Sequence, residues 1–466
     1  MTRGTAHPWM ANSTPETKTA MLEAIGAPSI EALFHQIPAD HRLSRPLNLP
    51  PTLSAEVALK RHLVDLLKKN ASAEDNLSFL GAGTYQHHVP AVCEEVARRA
   101  EWLMSVFGSP MSDHGRNQAW FEFCSLLGEL IKTDCVGLPV YSWGAAIGHA
   151  IRMASRINGR REALVVKAMS PERLGVVKTN CEPPQMASHI AVTEVGYDPA
   201  TGRLDMDDYR AKLSDAVAAV YFEVPSFLGV IETEGAEIAR LAHEAGAEVI
   251  VGVDPSSLGI LKAPPDYGAD IVVGTLQPLG VPMNAGGGVG GFIATRDEER
   301  YAREYPTLMI SITETIAGEY GFGLSLFHQT SYGMRDEGKD WTGNSVYMWA
   351  VVAAAYMGLL GPDGFRDLGH AIITRAHAAA RRLDAIEGVR VVFPSGFFKE
   401  FVVNFDATGK TVAEINGALR ARGIFGGKDL SAAFPELGES ALYAVTEIHT
   451  EGDIARLAAV LEEVIR

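Results

Sequence analysis

The sequence predicts an α/β protein in which helices cover both faces of a mostly parallel sheet. Short runs rich in Val and Ile recur through the middle of the chain, at "EALVVKAM", "SHIAVTEV", "AAVYFEV", "AEVIVGVD" and "ADIVVGTL". Between two of them lies an amphipathic segment, "EGAEIARLAHEAG", which Gly246 is expected to end as a helix. Nearly continuous apolar strands that alternate with helices are typical of a parallel sheet buried on both faces.

The two ends of the chain have different patterns. Residues 1–70 contain two helical segments, "PETKTAMLEAIGA" and "SAEVALKRHLVDLLKKN", the second with Ser54 as its expected N-cap. The proline-rich stretch "RPLNLPPTLS" between them must be extended. Near residue 340 begins an apolar helix, "VYMWAVVAAAYMGLLG", which precedes further helices and strands. We therefore predict an N-terminal helical arm at 1–70, a large domain at 71–340 and a small C-terminal α/β domain at 341–466.

Composition excludes several classes of function. The chain has 466 residues and a formal net charge of −16, so it lacks the basic surface expected of a nucleic-acid-binding protein. Its most apolar run, 346–361, is shorter than the roughly 20 residues that cross a bilayer, and no signal peptide is evident. Four scattered cysteines, none at C-x-x-C spacing, indicate a reduced, cytoplasmic protein without a cysteine metal site.

A glycine-rich loop follows the last of the apolar runs. Its sequence is "GTLQPLGVPMNAGGGVGG", with Gln277 close to the end of the preceding strand. The glycines are not followed by Lys-Ser/Thr, which excludes a P-loop, and no strand–G-x-G-x-x-G–helix order indicates a dinucleotide site.

Asp254 ends the earlier strand "VIVGVD" and has two interpretations. It either pairs with the protonated ring nitrogen of a bound cofactor or caps the turn "DPSS".

Further candidate residues lie where a strand or turn meets a helix. In "VYSWGAAIGHAIRM", Ser142 and the small residues after it would expose N–H groups to an anion such as a phosphate. Close helix packing explains the small residues equally well, and Trp143 would crowd a phosphate.

Two polar segments complete the candidate set. In "GAGTYQHHVP", Thr84, Tyr85 and His87 are candidates to line a cleft, with Tyr85 able to stack on a ring. The neighbouring histidines point in different directions, so no metal site is expected there. In "MRDEGKDWTGN", Lys339 and Asn344 are candidates, with Lys339 facing a carboxylate or phosphate, although a solvated loop is the alternative.

Many segments resemble the glycine dehydrogenase (decarboxylating) family, the P-protein of the glycine cleavage system, and in particular subunit 1 of its two-subunit form. They include "SFLGAGTYQHHVPAV", "DPSSLGILKAPPDYGADIVVGTLQPLGVP", "GIFGGKDL" and "PELGESALYAVTE", and the resemblance runs almost end to end. It implies a pyridoxal-phosphate (PLP) transferase fold of the aspartate-aminotransferase type, fold type I. It also implies a homologous subunit 2 that bears the PLP and its Schiff-base lysine, an α2β2 assembly and a lipoylated H-protein as acceptor.

The resemblance places Gln277 at the position of the Schiff-base lysine. Subunit 1 sequences typically read "GQPLG" or "GQSLG" there, and this chain reads "LQPLG". Because a glutamine cannot form an imine, PLP is expected on the partner subunit and not bound covalently here.

Three segments depart from the family pattern. This chain has "MSDHG" where relatives read "EISQG", and "YSWGA" where they read "YDGAT". Its loop at 331–343 retains little of "REQHIRREKATSN" beyond Lys339. Two alternatives to a glycine decarboxylase subunit therefore stand: a diverged two-component PLP decarboxylase or lyase for another amine, or a non-catalytic subunit that stabilises its partner.

Overall fold

The computed structural model describes residues 7, 9–99, 102, 110–283, 290–325, 338–340, 342, 346–394 and 396–466, without the side chains of residues 11 and 110–115. Contacts divide the chain into two compact units, Met1–Asn70 and Ala71–Arg466. The helices described in the two units are α1 (Pro15–Ala24), α2 (Glu56–Leu67), α3 (Ala91–Arg98), α4 (Pro110–Ile131), α5 (Trp143–Asn158), α6 (Pro171–Cys181), α7 (Met206–Lys212), α8 (Gly235–Glu244), α9 (Glu299–Ala302), α10 (Tyr347–Asp384), α11 (Val412–Arg420) and α12 (Glu451–Ile465). The strands are β1 (Leu77–Ser78), β2 (Cys135–Val136), β3 (Glu162–Val166), β4 (Ala191–Val195), β5 (Val217–Val224), β6 (Glu248–Val253), β7 (Ile271–Thr275), β8 (Gly291–Thr295), β9 (Met309–Glu314), β10 (Tyr320–Ser325), β11 (Arg390–Val391), β12 (Glu400–Asn404), β13 (Ile424–Phe425), β14 (Lys428–Asp429) and β15 (Ser440–Ala444).

The first unit contains α1 and α2. Helix α1 begins after Thr14, whose side chain accepts a hydrogen bond from the backbone N–H of Thr17. The expectation that Ser54 caps α2 is wrong by one residue, because Ala55 holds the cap position and makes no side-chain hydrogen bond.

The second unit is built on a seven-stranded sheet of order β2-β8-β7-β6-β5-β3-β4. Strands β4, β3, β5, β6 and β7 pair in parallel, and β8 runs antiparallel to both β7 and β2. Every residue of β5, β6, β7 and β8 is buried. The apolar runs thus form a sheet covered on both faces, as predicted.

A smaller antiparallel sheet of order β11-β12-β15-β14 follows toward the C-terminus. Its core includes Phe401, Val403 and Tyr443. A separate apolar cluster, which includes Phe227 and Val230 beyond β5 and Val402 and Leu442 of the small sheet, packs the two sheets of this unit together.

Helix α10 connects the two cores. Its first part packs on the large sheet through residues such as Val352, and its last part, with Leu383, packs on the small one. Between them Gly361 has non-helical angles (φ 56°, ψ −176°) and Pro362 restarts the helix. The three-domain division with a boundary at 340/341 stays a prediction. No described helix combines the length and apolar character that crossing a bilayer requires.

Candidate active site

The candidate site lies at the carboxyl ends of β5, β6 and β7. Asp254 follows β6 directly, and Gln277 follows β7 by two residues. Val253 of β6 lies opposite both Val224 of β5 and Gly274 of β7, so the three strands end side by side. In open parallel sheets this edge is where ligands bind.

Asp254 forms a buried ion pair with a lysine of the same chain. Its Oδ2 lies 2.6 Å from Nζ of Lys399, and the two residues are 4% and 2% exposed. Its Oδ1 accepts hydrogen bonds from the N–H and the hydroxyl of Ser256, at 3.0 and 2.6 Å. Burial opposes ionisation of Asp254, but the charge and hydrogen bond of Lys399, with the Ser256 hydroxyl, outweigh burial and lower the pKa of Asp254. Asp254 is therefore both a turn cap and the counter-ion of Lys399.

The ammonium group of Lys399 has two further partners. Its Nζ lies 2.8 Å from Nε2 of His87 and 4.0 Å from the centre of the Tyr85 ring. Nδ1 of His87 lies 2.7 Å from Oε2 of Glu447, and Oε1 of Glu447 accepts the backbone N–H of His88. Lys399, a donor only, requires His87 Nε2 to be the acceptor, so Nδ1 bears the hydrogen and donates to Glu447.

Glu400, the neighbour of Lys399, is also buried in the site. Its Oε1 accepts the backbone N–H of Ala82 at 2.6 Å, and its Oε2 accepts the hydroxyl of Tyr85 at 2.9 Å. Burial raises the pKa of Glu400 to about 7, despite these hydrogen bonds and the nearby positive charges, which favour the ionised form. Burial likewise raises the pKa of Tyr85 well above its usual value.

A second buried ion pair lies beside the start of α5. An Arg173 guanidinium nitrogen is 2.6 Å from Oε1 of Glu223, which also accepts the Tyr221 hydroxyl at 2.7 Å. The guanidinium stacks on the Trp143 ring with 4.0 Å between its carbon and the ring centre. Trp143 and Arg173 therefore pack against each other at the first turn of α5.

The side chain of Gln277 is fully engaged with backbone groups. Its Oε1 accepts the N–H of Tyr85 at 3.0 Å, and its Nε2 donates to the carbonyls of Tyr85 and Val281, at 2.8 and 3.3 Å. Gln277 is 2% exposed. It therefore ties the 81–90 segment to the end of β7.

Two glycines allow the small sheet to reach this edge. Gly229 has φ +86°, and a Cβ there would lie 1.9 Å from the carbonyl oxygen of Glu400. A Cβ at Gly81 would lie 2.5 Å from Oε1 of the same residue. Close backbone approach is possible here only because neither residue has a side chain. As a result, Lys399 and Glu400, at the start of β12, project into the carboxyl edge of the large sheet.

The remaining sequence candidates have separate positions. Ser142 caps α5 by accepting the N–H of Ala145 at 3.2 Å, and Thr84 is half-buried beside Tyr85. Lys339 faces a carboxylate, but one of its own chain: its Nζ lies 2.6 Å from Glu304. Asn344 lies outside the described residues.

The loop at 331–343 is described only at 338–340 and 342, and the side chains of 111–115 are not described. Within the described chain, no group of three or more His, Cys, Asp or Glu side chains is arranged to hold a metal ion.

Five charged residues of the site were not among the sequence candidates: Lys399, Glu400, Arg173, Glu223 and Glu447. The one sequence signal for the first two is the string "FFKEFVVNF", in which two charges interrupt an apolar run. Charged residues within such a run are either at a chain turn or buried in pairs.

Fold comparison defines the class of protein. A sphingosine-1-phosphate lyase from Burkholderia pseudomallei superposes with a TM-score of 0.65 at 15% identity, covering 90% of this chain and 92% of that one. The chain has the fold of the type I PLP-dependent transferases.

More similar relatives define the family. The family model for glycine cleavage system P-protein matches residues 9–461. A crystal structure of glycine decarboxylase (P-protein) of the glycine cleavage system, in inhibitor-bound form, superposes with a TM-score of 0.86 at 32% identity, covering 99% of this chain and 100% of that one. Proteins named "Probable glycine dehydrogenase (decarboxylating) subunit 1" are 36% identical in Staphylothermus marinus (99% of this chain, 98% of the relative) and 37% identical in Pyrococcus horikoshii (96% and 98%). The chain belongs to the glycine cleavage system P-protein family.

The residues at the carboxyl edge do not fit a PLP molecule. Gln277 has no amine to form an imine, and both oxygens of Asp254 are bonded within the chain. The cavity between Tyr85, Trp143, Arg173, Asp254 and Lys399 measures about 10 Å³. That is room for about one water molecule, far less than a pyridine ring with its phosphate needs.

Proposed function

We propose that this chain is subunit 1 of a two-subunit glycine dehydrogenase (decarboxylating) and works only in complex with a homologous subunit 2 that anchors PLP. The observation that supports this most directly is that Gln277, which the sequence resemblance places at the lysine position, is bonded through both of its amide atoms to the backbone of Tyr85. The names of the relatives from Staphylothermus marinus and Pyrococcus horikoshii support the assignment to subunit 1.

In this proposal the chemistry is divided between two chains. PLP held by the partner supplies the electron sink for loss of CO2 from glycine. The residues of this chain supply a rigid body: Gln277 fixes the 81–90 segment, and the buried pairs Asp254–Lys399 and Glu223–Arg173 fix the edge beside it. The proposal includes an α2β2 assembly, a lipoylated H-protein as acceptor and the cytoplasmic location predicted from the scattered cysteines.

The test compares the chain alone with the chain co-expressed with its homologous subunit 2. We expect glycine–bicarbonate exchange only from the complex, together with an absorbance band at about 420 nm from an internal aldimine. Borohydride reduction followed by peptide mapping should place the modified lysine on the partner. A reducible band with a modified lysine on this chain alone, at Lys262, Lys339 or Lys428 for example, would contradict the proposal.

A second candidate substrate is supported by Trp143. It lies in the segment where relatives read "YDGAT", and its ring stacks on Arg173. If this difference reshapes the site that the complex presents, the complex would turn over another amino acid or amine instead of glycine. Decarboxylation assays with glycine and with larger amino acids separate the two: turnover of a larger amino acid without glycine exchange favours the second candidate.

A purely stabilising subunit is a third candidate, supported by the internal pairing of the buried charges. Replacement of a residue that completes the shared site should lower kcat of the complex. If His87→Gln and Lys339→Met leave both the assembly and kcat of the partner unchanged, the stabilising role is favoured.

A further inference from the structure

One interpretation of the sequence pairs Asp254, which follows β6, with the ring nitrogen of a bound cofactor, and Tyr85 is able to stack on a ring. Here both groups face one ammonium ion. Nζ of Lys399 lies 2.6 Å from Asp254 and 4.0 Å from the centre of the Tyr85 ring. A positive charge therefore stands between the acid and the aromatic face, and it belongs to the chain itself.

The ammonium group has a partner in each of three directions. Asp254 and His87 accept hydrogen bonds from it at 2.6 and 2.8 Å, and the π-face of Tyr85 provides a cation–π contact. An ammonium group has three N–H donors, so this set satisfies it. The same three groups would suit a small organic cation of the same size.

We propose that the Lys399 side chain takes the place of a cofactor's ring cation in this chain, so that an internal ligand closes the pocket and PLP is excluded from it even without a covalent bond. Removal of the Lys399 side chain then uncovers a binding site for a small alkylammonium ion between Asp254, His87 and Tyr85. This inference rests on the proposed function in one respect, the assignment of the cofactor to the partner.

Packing on every side supports a ligand role over an incidental surface contact. Lys399 is 2% exposed, and its neighbour Glu400 is fixed by Ala82 and Tyr85. Gly229 allows the backbone at Glu400 to approach closely enough to deliver the lysine. The remaining cavity of about 10 Å³ leaves no room for a second cation beside it.

The experiment uses the full chain with two probes. The first, n-propylammonium chloride, matches the atoms that Lys399→Ala removes; the second, 4′-deoxypyridoxine 5′-phosphate, has the cofactor ring and phosphate but no aldehyde. Isothermal titration calorimetry of the unaltered chain should show no binding of either probe. Lys399→Ala should lower Tm by roughly 5 °C, because it leaves a buried carboxylate unpaired. Millimolar n-propylammonium should restore part of that loss in a saturable way.

The matched control is the double variant Lys399→Ala/Asp254→Asn, which lacks the carboxylate and should not respond to n-propylammonium. Equal stabilisation of both variants would overturn the proposal, as would stoichiometric binding of 4′-deoxypyridoxine 5′-phosphate to the unaltered chain. Failure of glycine exchange by the wild-type complex, with the n-propylammonium response intact, would refute the proposed function alone.

A measurement on the unaltered chain keeps the test valid if Lys399→Ala does not fold. Reductive methylation of the native protein, followed by mass spectrometry, should leave Lys399 unmodified after Lys132, whose side chain is 61% exposed, has reacted completely. Methylation of both lysines at the same rate would show that Lys399 is not enclosed, and the proposal would fail.

Discussion

Replacing Gln277 by lysine restores the residue type that PLP enzymes use, yet we expect no PLP enzyme to result. In Gln277→Lys the backbone N–H of Tyr85 loses its acceptor, which now lies at 3.0 Å. A buried donor left without a partner costs about 1–3 kcal/mol. The new amine keeps the two carbonyl acceptors but lies at a position that is 2% exposed, where a charge without a counter-ion adds a similar cost. The expected loss in free energy of unfolding is roughly 2–6 kcal/mol.

Urea unfolding of Gln277→Lys and of the uncharged control Gln277→Met measures this loss. Both variants leave the Tyr85 N–H without an acceptor, and Gln277→Met also leaves the carbonyls of Tyr85 and Val281 without their donor. The difference between the two variants therefore gives the cost of the charge less the contribution of those two hydrogen bonds. Incubation of Gln277→Lys with PLP, followed by an absorbance measurement at about 420 nm, then tests for an internal aldimine. A variant as stable as the unaltered chain, with a borohydride-reducible band at residue 277, would refute the conclusion that this pocket is closed.

Three further predictions concern buried groups of the second unit. Burial raises the pKa of Glu400 from 4.5 to about 7. The stabilisation from this residue is therefore complete below pH 4.5 and is lost as the pH rises through 7, which lowers the free energy of unfolding by about 3 kcal/mol. Glu400→Gln should remove this fall in a series of urea titrations against pH. Burial lowers the pKa of His149 from 6.5 to about 4, so this residue makes the free energy of unfolding increase between pH 4 and 6.5, by about 3 kcal/mol. His149→Gln should abolish that increase. An unchanged pH slope in either variant would contradict the assignment of that slope. Gly229→Ala should lower the free energy of unfolding by about 4 kcal/mol or more, because its Cβ would lie 1.9 Å from the carbonyl oxygen of Glu400. The control Gly175→Ala, in open space on α6, should raise the free energy of unfolding by up to about 1 kcal/mol. Equal stabilities of the two variants in urea unfolding would refute the close approach at Gly229.

The large sheet could be predicted from the sequence because its signal is local. Five apolar runs became β3, β4, β5, β6 and β7, and burial on both faces explains why the runs of β5, β6 and β7 are nearly continuous. The direction of β8 could not be predicted, since a strand of five buried residues has the same composition in either orientation. Strands β11 and β14 have two residues each and form only by pairing with neighbouring strands, so the sequence shows no strand periodicity for them.

Only part of the site could be predicted from the sequence, because some of its residues follow local patterns and others come together only in the folded chain. Asp254 and Gln277 could be found because each follows a recognisable strand, and parallel strands bring their carboxyl ends together. Lys399 comes from a different sheet and reaches Asp254 across 145 positions of sequence, a distance that no periodicity encodes. The glycines that permit the approach gave no separate signal, because a glycine chosen for close contact and a glycine chosen for a turn are the same residue type.

In the proposed division of the chemistry, the ion pair also explains how a subunit without a Schiff-base lysine can keep an acid at position 254. A carboxylate as enclosed as Asp254 is stable only if a cation accompanies it, since an unpaired buried charge costs several kcal/mol. Once the ring no longer enters, either the acid must be replaced or the chain must provide the cation. Lys399 provides it, at 2.6 Å, and the price of that arrangement is that the acid and the lysine depend on each other. In this arrangement Gln277 offers no amine for a covalent anchor and Lys399 fills the space beside Asp254, so that replacing either residue alone does not create a cofactor site.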